Sequence, residues 1–75
     1  MCTRKIKLNQ FDDVKNFVRA AERCDYDVDV SYNRVIIDAK SLMGVLSMDL
    51  TKVLTVKFSE EDIHFANWLD QYAVS

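Results

Sequence analysis

The feature that most constrains this chain is the order in which its hydrophobic period changes. Lys5-Ile6-Lys7-Leu8 alternates with period two and reads as a strand. Phe11, Val14, Phe17, Val18 and Ala21 then recur at helical spacing and predict a helix over about residues 10–24. Asn9 is the expected N-cap. Asp12 and Asp13 fall in the first turn and Arg19 and Arg23 near the end, the signs that the helix dipole favours. Asp27-Val28-Asp29-Val30 returns to period two. Tyr32-Asn33 can turn, and Arg34-Val35-Ile36-Ile37-Asp38-Ala39 is β-branched, so a hairpin is expected. Ser41 caps a short helix through Met48, with Asp49 ending it in the left-handed conformation. Lys52 to Phe58 forms the last strand, with Leu54, Val56 and Phe58 inward and Val53, Thr55 and Lys57 outward. Ser59 then caps a final helix that has Glu60, Glu61 and Asp62 in its first turn. Phe65, Ala66, Leu69, Tyr72 and Ala73 form its apolar stripe, with Ile63 and Trp68 at the edges.

The resulting order, βαββαβα, fits an α+β fold in which helices cover one face of a four-stranded antiparallel sheet. With 75 residues and 49% hydrophobic content there is material for one small core, so a single domain over residues 1–75 is expected and a two-domain enzyme is excluded. The chain has no proline and one glycine. Its turns must therefore use Asn, Asp and Ser, and a Gly-rich phosphate loop cannot be built. A net charge of −2 offers no basic surface for nucleic acid. Cys2 and Cys24 form no CxxC motif, and the single histidine, His64, cannot complete a zinc site, so neither metal nor cofactor is expected. No base–nucleophile pair suggests an enzyme. No apolar run approaches a membrane span, and Met1-Cys2-Thr3-Arg4-Lys5-Ile6-Lys7 has no apolar core, so no signal peptide is expected. Two reduced thiols in a cytoplasmic protein are the expectation.

The segment Asp38-Ala39-Lys40-Ser41-Leu42-Met43-Gly44-Val45-Leu46-Ser47-Met48, within this order of elements, resembles the HPr family. These are the small phosphocarriers of the bacterial phosphoenolpyruvate:sugar phosphotransferase system. A lysine, a serine, two bulky apolar residues and a glycine stand at the family's spacing. Phe17-Val18-Arg19-Ala20-Ala21 is a second, weaker match. The resemblance implies an open-faced β-sandwich with sheet order 1-4-2-3. Across the outer face this order would place Lys5 and Lys7, then Lys57, then Asp27 and Asp29, then Asp38. The chain departs from the family at the start of the first helix. The family has a phosphorylated histidine there, followed by a small residue, arginine and proline. Counting back from Phe17 puts Gln10 at the histidine position and Phe11, Asp12 and Asp13 at the next three. Glutamine cannot form a phosphoramidate, and two carboxylates oppose an incoming phosphoryl group. Some HPr paralogues also carry glutamine at this place and serve carbon catabolite control, but they keep the arginine-proline pair. His64, far along the chain, is read as an ordinary helical residue.

The resemblance implies two further features. Ser41 matches the serine that HPr kinase/phosphorylase modifies, and a phosphate there would face the backbone N–H groups of a helix start. Leu42, Met43 and Leu46 match an apolar patch that docks phosphotransferase-system enzymes and a LacI-type transcription regulator. For that patch to be free, Val45 and Met48 must supply the core. The mid-helix Gly44 implies close approach by a partner or the neighbouring helix. The reading is a regulatory or partner-binding HPr-like protein without histidine phosphotransfer. Two alternatives stay open: a divergent phosphocarrier using another residue, and an interaction module that is never phosphorylated.

Overall fold

The computed structural model describes residues 1–74. The chain runs β1 (Cys2–Ile6), α1 (Phe11–Glu22), β2 (Asp29–Tyr32), β3 (Val35–Asp38), α2 (Leu42–Leu46), β4 (Leu54–Phe58) and α3 (Ile63–Leu69), ending in a single 3-10 turn, Asp70–Tyr72. The four strands form one antiparallel sheet in the order β1-β4-β2-β3. This is the expected α+β open-faced sandwich. No helix among the described residues is long and apolar enough to cross a membrane.

Alternation along the strands builds the core. Ile6, Val30, Leu54, Val56 and Phe58 are buried on the inner face, and Val14, Phe17, Val18, Ala21, Val45, Phe65 and Leu69 meet them from the helices. The register puts Val30 opposite both Val56 and Ile37. The β2–β3 hairpin turns at Asn33, whose φ of 51° is the left-handed conformation that asparagine tolerates better than most residues.

Several boundaries differ from the sequence expectations. The first strand lies earlier than Lys5–Leu8, although Ile6 and Leu8 are both buried as the alternation requires. Helix α1 is capped by Gln10, not Asn9. The Asp13 carboxylate accepts from the backbone N–H of Gln10 at 3.1 Å and of Asn9 at 3.2 Å, closing the helix start from within its first turn. Phe11 is 57% exposed and not part of the buried stripe, because as the first helical residue it precedes the point where α1 lies over the sheet. Asp49 does not adopt the left-handed conformation. It forms a local turn instead, accepting from Thr51 N at 3.0 Å while its own N–H donates to the Tyr32 hydroxyl at 3.2 Å. Helix α3 starts after Asp62 rather than after Ser59. Of several adjacent capping residues, Asp62 is the one whose Oδ1 reaches a free helical donor, Phe65 N, at 2.9 Å. Ala73 lies beyond the helix and is exposed.

On the outer face, Lys57 stands opposite Asp29 as expected, but its neighbour on β1 is Thr3; Lys5 faces Thr55. Asp29 and Asp38 face one another as like charges. The Asp38 carboxylate accepts from Lys40 N at 2.9 Å, which draws it toward the loop. Lys7 and Asp27 fall outside the strands, and the Lys7 ammonium donates to the Thr51 carbonyl at 3.1 Å.

The two edges of the sheet are treated differently. Ala73 bridges to Ile6, Lys7 N donates to the Tyr72 carbonyl and Val74 N to the Lys5 carbonyl, both at 3.0 Å. Tyr72 to Val74 thus lie beside Lys5 to Lys7. No strand lies beyond β3 among the described residues.

Asp62 also ties α3 to the loop that follows α1. Its Oδ2 accepts from the Tyr26 hydroxyl at 2.8 Å and lies 3.6 Å from Cys24 Sγ, while the Lys40 ammonium donates to the Cys24 carbonyl at 2.9 Å. The bond from Phe65 N holds the Asp62 carboxyl below the usual carboxylate range. Burial pushes the Cys24 thiol up, and burial together with hydrogen bonds to Cys24 and Asp62 pushes the Tyr26 phenol up strongly. Both cysteines are free thiols.

Candidate functional site

The residues singled out in the sequence lie at the start of α1 and along α2. The five-residue α2 begins at Ser41, whose Oγ accepts from Gly44 N at 3.1 Å. Ser41 is exposed, so its hydroxyl serves as the cap and also faces solvent. Val45 is fully buried and Met48 is 6% exposed, so these two supply the core side of this segment. Leu42, Met43 and Leu46 lie outside the core, at 38%, 80% and 36% exposure.

Gly44 is explained by β3, not by a partner or another helix. A Cβ placed there would sit 2.8 Å from Ile37 Cγ2 and 3.1 Å from Ser41 Oγ. Helix α2 rests against the Ile37 side chain of β3 with no room for a side chain at position 44, which fixes the height of this helix above the sheet.

Gln10 is exposed at the start of α1. It lines a shallow apolar depression with Leu8, Phe11, Leu46, Leu50 and Thr51, and with Lys7 and Asn9 at its rim. The structure thus brings Gln10 beside Leu46, at the end of α2 remote from Ser41. Asp12 is exposed, whereas the Asp13 carboxylate is occupied by the two backbone donors at the helix start. Gln10 thus has a carboxylate one turn away and the Lys7 side chain on the same depression. His64 is exposed on α3 and lines a different depression, with Arg23, Cys24 and Trp68. Among the described residues, no group of three His, Cys, Asp or Glu side chains could hold a metal ion.

Sequence reasoning missed Phe11, Leu50 and Thr51 as walls of the depression. Phe11 carried a usable signal: an aromatic directly after a cap, with Lys15 one turn on. The Lys15 ammonium lies 5.5 Å from the ring centroid, shielding an otherwise open face.

A family model for the PTS HPr component phosphorylation site matches residues 13–67. The match takes in Ser41, Leu42, Met43 and Leu46 and begins just after Gln10.

Proposed function

Because the chain belongs to the HPr family, the phosphocarrier-like proteins of the phosphotransferase system, we propose that it is a regulatory or partner-binding member controlled through Ser41. In this reading Gln10 stands where the family histidine would be and carries no phosphoryl group. The protein acts as a binding partner and not as an enzyme. HPr kinase/phosphorylase modifies Ser41, and Leu42, Met43 and Leu46 dock phosphotransferase-system enzymes or a LacI-type transcription regulator in the cytoplasm.

The observation that supports this reading is the setting of Ser41. Its hydroxyl is exposed, it caps α2, and three apolar side chains outside the core follow it on the same short helix. A phosphate on Ser41 would keep its oxygens near the backbone donors that the hydroxyl caps, so the helix end would tolerate the modification. The added charge would lie beside the apolar residues, where a partner supplying arginine can read both together.

The test is incubation with HPr kinase and ATP, beside Ser41→Ala. One phosphate on the unaltered protein and none on the variant is the expected result; no mass shift on either sinks the regulatory reading. Incubation with phosphoenolpyruvate and the first enzyme of the system separates out the phosphocarrier alternative. Acid-labile phosphate on this chain would overturn the assignment of Gln10.

A further inference from the structure

The cleft between α1 and α3 is lined by neither Ser41 nor Gln10 and has a chemistry of its own. Two adjoining depressions share Ala20, Arg23 and Trp68. The α3 side is an aromatic wall: Trp68 stacks on Phe65 with centroids 6.1 Å apart and planes at 6°, and meets Tyr72 edge-on at 5.3 Å and 62°. The α1 side carries Arg19 and Arg23, one turn apart and exposed. Among the described residues, neither guanidinium has a carboxylate within ion-pair distance or a hydrogen-bond acceptor. The carboxylate at one end, Asp62, is taken up by Phe65 N and the Tyr26 hydroxyl. Asp13 approaches Tyr72 at the other end, where its charge helps raise the phenol's pKa after burial, but its oxygens hold the start of α1.

We propose that this cleft docks a short extended segment of a partner protein in which an apolar residue lies between two acidic ones. The spacing supports that pattern. Side chains four apart on a helix have Cβ atoms about 5–6 Å apart. Alternate residues of an extended chain are about 6.6 Å apart and point the same way. Two carboxylates at i and i+2 therefore match Arg19 and Arg23, while the side chain between them points across to the Trp68 wall. The unpaired guanidiniums select for negative charge, and the aromatic wall selects for the apolar residue. The Ser41 reading is not needed for this inference.

Trp68 is the chain's only tryptophan, so its emission reports on the cleft directly. The probe is acetyl-Ser-Glu-Leu-Glu-Ser-amide, with a control peptide in which both glutamates are glutamine. The acidic peptide should change Trp68 emission saturably, and the control should bind about tenfold more weakly, as the loss of two exposed ion pairs implies. Arg19→Gln and Arg23→Gln should each weaken binding about threefold on the same reasoning, with unchanged circular dichroism because both side chains are exposed. No saturable change, equal affinity for the two peptides, or undiminished binding by both variants would each overturn the proposal. So would competition by a single-stranded oligonucleotide as strong as by the acidic peptide, since the arginines would then be a general polyanion site.

Discussion

Replacing Asp62 by alanine removes a cap and a tether in one step, and the cost can be worked from the hydrogen bonds. Oδ1 accepts from Phe65 N at 2.9 Å, the N-cap bond of α3. Losing such a bond costs about 1 kcal/mol. Oδ2 accepts from the half-buried Tyr26 hydroxyl at 2.8 Å and lies 3.6 Å from Cys24 Sγ. Leaving that hydroxyl without an acceptor costs about 1 kcal/mol more. Asp62→Ala should therefore destabilise the protein by about 2 kcal/mol, a fall in Tm of roughly 8–16 °C for a chain of this size. Asp62→Asn keeps a capping oxygen and should lose about half as much. The pH dependence gives an independent check. Because the Asp62 pKa is lowered by folding, its contribution is present above the unfolded value of about 3.9 and is lost as the pH falls through the lower folded value. The gap between the native protein and Asp62→Ala should thus narrow in acid. Urea denaturation across neutral and acidic buffers measures both effects. An Asp62→Ala loss below about 0.5 kcal/mol at neutral pH, or a gap that does not narrow in acid, would refute the reasoning.

Other positions give simpler expectations. Gly44→Ala gains about 1 kcal/mol of helix propensity but drives a methyl to 2.8 Å from Ile37 Cγ2, on a β-branched side chain that cannot swing aside; the net result should be a loss of about 1 kcal/mol in urea denaturation, and a more stable variant would contradict the contact. Ser41→Ala removes the bond from Gly44 N and should cost about 1 kcal/mol by the same measurement, whether or not any kinase acts on it. Val74→Pro removes the donor to the Lys5 carbonyl and should destabilise by about 1 kcal/mol, seen as faster amide exchange along β1. Tyr26 has a raised pKa, so its stabilising contribution is present below the unfolded value of about 10 and is lost as pH rises through the higher folded value; ultraviolet titration should find Tyr26 resisting ionisation until unfolding, an absorbance change that Tyr26→Phe removes.

The order of elements was legible because period two and period 3.6 leave different marks, and Leu54, Val56 and Phe58 point inward as alternation requires. Ser41 as a cap and Val45 and Met48 as core were legible because the short helix has one side to bury. The exact caps were not. Asn9 and Gln10 are adjacent, as are Ser59 and Asp62 within one turn, and only the tertiary position of the helix decides which side chain meets a free N–H. Phe11 was misplaced because periodicity marks a face but not where along the helix the sheet begins. The return of the chain end to β1 left no local mark, since a bridge between Ile6 and Ala73 joins opposite ends of the sequence. The α1–α3 cleft depends on which faces two helices turn to each other, which one-dimensional spacing does not give.

Covering one side of the sheet while leaving the other open sets a limit on self-assembly. Fibre growth by strand addition needs two free flanks on every molecule, one to accept and one to offer. Here the flank of β1 is met at Lys5 to Lys7 by Tyr72, Ala73 and Val74, whereas Val35 to Asp38 has no further strand beside it among the described residues. Two molecules joined there would form a symmetric pair, each keeping only the shortened flank at Cys2 to Arg4. The segment Tyr72 to Val74 thus narrows the second flank, so that a pair joined through β3 is the species that backbone pairing favours from the folded protein.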